Sequence, residues 1–133
     1  MKTSAFPPAE TAPDAELLKQ SYLEIRQFTE RIVEPLSAED CMVQSMEDAS
    51  PTRWHLAHTT WFFETFALRE QSGYRPFDDS YHYLFNSYYN TLGKQYPRAR
   101  RGMISRPGLD EIVRYRQYVD EQLVARLESP DYV

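Results

Sequence analysis

The chain has 133 residues, 41% of them hydrophobic and 14% aromatic, which suits one globular domain with a sizeable core and excludes a disordered chain. Its formal net charge is -5, and its basic residues are nowhere denser than at 98–101, so neither nucleic acid nor an anionic membrane surface is an expected partner. The lone cysteine, Cys41, precludes an internal disulfide, the first 13 residues lack a signal or transit pattern, and no run approaches the roughly 20 apolar residues of a spanning helix; a soluble, cytoplasmic protein is expected.

Residues 1–13 carry three of the nine prolines and little periodic apolar content, the pattern of a flexible tail or surface strap. From Asp14, a start signal, Leu18, Tyr22, Ile25, Phe28 and Ile32 recur every three or four residues as far as Pro35, which predicts an amphipathic helix. The stretch 36–50 reads as a short helical turn followed by a loop, with Cys41 as a buried small hydrophobe. Ser50 before Pro51 predicts an N-cap with proline at the first helical position. Trp54, Ala57, Trp61, Phe62, Phe66 and Leu68 then extend a second helix to about Gln71, ended by Ser72 and Gly73.

Tyr74, Tyr81, Tyr83, Tyr88 and Tyr89, with Tyr96 just beyond, make the segment 74–93 look like an aromatic lid or side wall that holds at most a short helix. Residues 98–107, RARRGMISRP, read as a loop. After it Ile112, Tyr115 or Arg116, Val119, Leu123 and Leu127 mark a third long helix over about 108–129. Three long helices with connections of roughly 15 to 35 residues, and no alternating strand run, predict an all-α up-down bundle occupying 14–133.

Chemistry concentrates in two places. His55 and His58, two of the three histidines, lie one helical turn apart among large aromatics, close enough for both to approach one metal ion. His58 shares the apolar stripe of Trp54, Trp61, Phe62 and Thr65, whereas His55 sits at its edge and reads as exposed or half-buried. Spacing alone leaves His58 equally open to a core role, satisfied by a hydroxyl or carbonyl. His82, among Tyr81, Tyr83 and Phe85, reads either as a further ligand or as a hydrogen-bonding group in the wall. Arg98, Arg100, Arg101 and Arg106 crowd the second place, and guanidinium forks there suit bidentate capture of a carboxylate or, equally, a solvated basic loop. No phosphate loop, Cys-x-x-Cys pair or nucleophile elbow is present.

The stretches PLSAED (35–40), QSMEDASPTRWHLAHTTWFFETF (44–66), YLFNSYYN (83–90) and RRGMISRP (100–107) resemble the N-terminal part of the ergothioneine-biosynthesis sulfoxide synthases, the EgtB family, from about residue 17 to 127. The resemblance implies a DinB-like four-helix bundle, of which three long helices lie within this chain. It also implies a nonheme iron, Fe(2+), bound by the histidine of the LAH element, which is His58. In that family an H-x-x-x-H pair on the fourth bundle helix supplies two more ligands, and this sequence reaches Val133 without one. Arg98 and Arg101 match the arginines that hold the carboxylates of the thiol substrate, γ-glutamylcysteine or cysteine.

The family's large C-terminal domain, similar to formylglycine-generating enzymes and C-type lectins, supplies much of the trimethylhistidine pocket and a catalytic tyrosine. The implied activity is that of a hercynine oxygenase: oxygen-dependent carbon–sulfur bond formation between trimethylhistidine and the thiol. By itself this chain is expected to bind iron weakly, to be inactive, and to self-associate through the groove a fourth helix would fill. A selenoneine synthase-type relative and a stand-alone DinB-like metal-binding or thiol-transferase module are the alternatives.

Overall fold

The computed structural model describes residues 14–129, and the expected tail at 1–13 lies outside them. Helix α1, Ala15–Val33, is capped by Asp14, whose carboxylate accepts from the Glu16 amide at 2.9 Å. Helix α2, Ala38–Met42, opens on a capping box in which Ser37 and Asp40 satisfy one another's backbone amides. Cys41 is buried there, as expected of a small hydrophobe.

Helix α3 spans Thr52–Phe63 and follows Pro51, which is itself the cap residue. Ser50 is therefore not the N-cap the sequence predicts; its hydroxyl instead accepts from Arg101 Nη1 at 3.1 Å. Nor does the helix continue regularly to Gln71, because it widens into a π turn at Glu64–Leu68. Glu64, 1% exposed, explains the interruption. Its carboxylate accepts from the Tyr74 hydroxyl (2.7 Å), the Phe77 amide (3.1 Å) and the Tyr115 hydroxyl (2.8 Å), and so fastens three segments together.

The aromatic segment holds one short helix, α4, Tyr81–Phe85, shorter than the sequence allows. The arginine-rich stretch is a 3₁₀ segment, Arg98–Met103, rather than an irregular loop. Helix α5, Leu109–Glu128, completes the fold, and the described residues contain no strand. Among the described residues no helix is long and apolar enough to cross a membrane.

The bundle is all-α, as expected, but its long helices do not simply alternate in direction. Lys19 pairs with Glu128 and Arg26 with Asp120, so α1 and α5 are antiparallel. Arg53, at the start of α3, donates to the carbonyls of Ile104 and Pro107, while Ala67 and Gln71 lie beside Arg126, so α3 and α5 run the same way. The long connection 69–108 returns the chain to the end where α3 began, and α4 packs on α3 along that route. Trp61, Leu68, Tyr81, Phe85, Ile112, Tyr115 and Val119 form the buried centre.

Helix α1 departs most from its sequence pattern. Of its predicted stripe only Tyr22 is buried, while Ile25, Phe28 and Ile32 are 61%, 56% and 59% exposed. The face turned to the bundle mixes apolar contact, through Tyr22, Leu23 and Val33, with buried charge. Arg26, 3% exposed, donates to Asp120 (2.8 Å) and to the Thr60 hydroxyl (2.7 Å), and Tyr22 donates to the same Asp120 oxygen (2.6 Å). Hydrogen-bonded charge shares this seam with Tyr22, Leu23 and Val33, so periodicity alone places the buried face about a quarter turn off.

Candidate functional site

His58 lies between two indoles on its own helix. Its ring stacks on Trp54 (centroids 4.6 Å apart, planes 11° apart) and on Trp61 (5.6 Å, 15°), the residues one turn before and after it. Trp54 is held in turn by its indole N–H, which donates to the Leu84 carbonyl at 2.9 Å. The imidazole is thus clamped at both faces and its edge is aimed by the helix.

His58 Nδ1 lies 2.7 Å from the Phe85 carbonyl. A carbonyl only accepts, so Nδ1 carries the proton and donates. In the neutral ring Nε2 therefore keeps its lone pair, and it makes no hydrogen bond among the described residues. Burial, chiefly, and the charge of Arg101 hold the His58 pKa below its ordinary value, so the ring is neutral near pH 7. An Nδ1–H fixed by a carbonyl with a bare Nε2 is the tautomer of a metal-ligating histidine.

Arg101 covers the stack, its guanidinium carbon 3.6 Å from the Trp54 ring centroid. It is 3% exposed, burial lowers its pKa to about 10, and its Nε has no hydrogen-bond partner among the described residues. Arg98 stands at the rim, its guanidinium over the Tyr88 ring at 4.9 Å and hydrogen-bonded to that hydroxyl. Tyr88 takes the left-handed conformation, φ 69°, which side chains other than glycine seldom adopt and which is found at clamped functional positions. His55, His58, Arg98, Arg101, Ser50, Ser87 and Tyr88 line one cleft of about 220 Å³.

Gln44 fixes the arginine segment from outside. Its amide nitrogen donates to the Arg98 carbonyl (2.8 Å) and its amide oxygen accepts from the Gly102 backbone (2.6 Å). Gly102 is small for that reason, since a Cβ there would stand 2.8 Å from Gln44 Cβ.

Of the residues singled out from the sequence, the structure brings His58, Arg98 and Arg101 together in one cleft, with His55 at its rim. Burial and the charge of Arg101 lower the His55 pKa as well. Arg100 and Arg106 are exposed and outside the cleft. His82 belongs to the wall: its Nδ1 accepts from the Trp61 indole N–H at 3.1 Å, so its Nε2 carries the proton and donates to the Leu92 carbonyl at 2.7 Å. Both of its nitrogens are engaged. Sequence reasoning overlooked Gln44, Arg53 and Glu64, whose only signal was a polar or charged residue within a predicted core face or loop.

These donors fit one corner of a metal site, an imidazole with a free lone pair, beside cations suited to a carboxylate. Among the described residues no group of three His, Cys, Asp or Glu side chains converges as a complete metal site.

The DinB superfamily profile matches residues 21–132. The chain belongs to the DinB superfamily. In this DinB domain the matched span contains every cleft residue named above. Among curated proteins none matches the chain.

Proposed function

We propose that this DinB domain is the N-terminal iron-binding part of an EgtB-like sulfoxide synthase, the hercynine oxygenase of ergothioneine biosynthesis. His58 Nε2 is one ligand to a nonheme ferrous ion, and Arg98 and Arg101 take the carboxylate of γ-glutamylcysteine or cysteine. The observation that carries the reading is the pairing, in one cleft, of a bare imidazole nitrogen with a buried guanidinium whose Nε has no partner. Ferrous iron supplies the oxygen chemistry in such enzymes. This chain's residues orient the imidazole through Phe85, place positive charge for the substrate carboxylate, and restrict water with the stacked indoles.

The remaining iron ligands and the trimethylhistidine pocket come from outside the described residues. Fe(2+) binding by residues 14–129 is accordingly weak, because a single imidazole imposes little geometry.

The test is titration of γ-glutamylcysteine, with and without anaerobic Fe(2+), followed by NMR shifts of cleft residues. Saturable shifts at Trp54, His58 and Arg101 that are lost in Arg101→Gln support the proposal. Undiminished binding by Arg101→Gln, or no shifts at millimolar ligand, would overturn it. If iron binds through His58 with no response to the thiol, a stand-alone DinB-like metal-binding module becomes the better reading.

A further inference from the structure

Arg116 is a second buried guanidinium in the seam between α1 and α5, 2% exposed, and among the described residues it makes no hydrogen bond to a carboxylate. Its Nη1 donates to the Leu56 carbonyl (3.0 Å) and its Nη2 to the Arg26 carbonyl (3.5 Å), while its enclosed Nε has no hydrogen-bond partner among the described residues. Asp120 is already taken by Arg26 and Tyr22. Glu30 comes nearest, with Oε2 4.0 Å from Nε, but its side chain is 54% exposed. The seam thus buries two cations and hydrogen-bonds only one of them to an anion, an arrangement that costs stability until a second anion arrives.

Arg116 also lines a pocket of about 600 Å³ between the second half of α1 and the first half of α5. From α1 the pocket takes Gln27, Glu30 and Glu34, which at 100° per residue stand roughly opposite the exposed Ile25, Phe28 and Ile32. From α3 it takes Leu56, which points about 160° away from His58 around the same helix. The pocket is therefore separate both from the apolar strip of α1 and from the His58 cleft.

Three features select the ligand. Arg116 has one N–H to offer, which suits a single acceptor oxygen rather than the bidentate grip that a phosphate would take. Glu30 and Glu34 at the α1 wall repel a dianion, and Glu30, half exposed, can swing outward and leave its side of Nε to a monoanion. Leu36, Leu56, Leu109 and Val113 supply branched aliphatic walls that suit an alkyl chain. We propose that this pocket binds an aliphatic monocarboxylate, with one carboxylate oxygen on Arg116 Nε and the chain against Leu36, Leu109 and Val113. The site goes beyond the iron-binding reading and stands whether or not His58 holds a metal.

Hexanoate titrated into the full chain tests the pocket, followed by NMR of the Leu56 and Val113 methyl groups and of the Arg116 Nε–H. Saturable shifts of all three are expected at millimolar hexanoate, with 1-hexanol at least about tenfold weaker because it lacks the charge. Glu30→Gln should tighten hexanoate binding about threefold by removing the carboxylate that competes for Nε. Val113→Glu should weaken it about tenfold at unchanged helix content, since that side chain is 42% exposed. Absent shifts, or hexylammonium binding more tightly than hexanoate, overturn the site. Hexanol that binds as well as hexanoate, or a Glu30→Gln protein of unimproved affinity, overturns the place of the carboxylate on Arg116. Inorganic phosphate that displaces hexanoate at equal concentration overturns the class of ligand.

Discussion

Tyr115→Phe isolates the bond on which the aromatic wall depends. Tyr115 is fully buried and donates to Glu64 Oε1 at 2.8 Å, and the other donors to that carboxylate, Tyr74 and the Phe77 amide, are also neutral. Deleting the hydroxyl leaves almost no cavity but strips one oxygen of a buried carboxylate of its donor. Hydrogen bonds to charged groups contribute about 1.5 to 3 kcal/mol, so a loss of about 2 kcal/mol is expected. For a chain of this length that lowers Tm by roughly 8 °C.

Thermal unfolding by circular dichroism measures the change, and the double variant with Glu64→Gln separates the bond from the ring. In the Glu64→Gln background the same hydroxyl deletion should cost less than about 1 kcal/mol, because the acceptor is no longer charged. A Tm change under about 2 °C in the otherwise unaltered protein would refute the reasoning, since it would mean that the carboxylate is not held as a dry, three-donor acceptor.

Stability should fall as pH drops through the His58 titration. Its folded pKa lies below the reference 6.5, so the unfolded chain binds more protons between those two values; the contribution is full above about 6.5 and is lost as pH falls toward the folded pKa. His58→Phe should reduce the slope of the Tm–pH profile there, the rest coming from His55, whose pKa is lowered as well, and an unchanged slope would count against a half-buried, neutral ring. Gly102→Ala should cost about 1 to 3 kcal/mol by forcing Gln44 away, and should weaken γ-glutamylcysteine binding along with it; equal stability by urea titration contradicts that account. His82→Phe should lower Tm by removing the bonds to Trp61 and Leu92, yet leave the metal affinity of a refolded sample within about twofold, and loss of metal binding would return His82 to the site.

The helical class and the extents of α1 and α5 were legible because apolar periods run between Asp14 and Pro35 in one and follow Pro107 in the other. Spacing left His58 open between a core role and a ligand, and only the resemblance of its LAH element favoured the ligand; the structure turns the tryptophans at four before and three after it into a stacked clamp. What could not be read were the long-range polar contacts. The Arg26–Asp120 pair spans 94 positions, and it turns the apolar stripe of α1 away from the bundle. Glu64 looks like an ordinary charge on a helix until Tyr74 and Tyr115 arrive from other segments to bury it. The shared direction of α3 and α5 depends on where the connection 69–108 returns, which no local pattern records.

Long-range proton–nitrogen correlation of the histidine side chains at pH 7 bears most directly on the central claim, that His58 offers a free Nε2 to the cleft. The account expects opposite tautomers: a protonated Nδ1 and bare Nε2 for His58, and a bare Nδ1 and protonated Nε2 for His82. Anaerobic addition of Fe(2+) should then broaden the His58 resonances first. A proton on His58 Nε2, or iron broadening His82 ahead of His58, would contradict the assignment of this cleft as a metal-binding site.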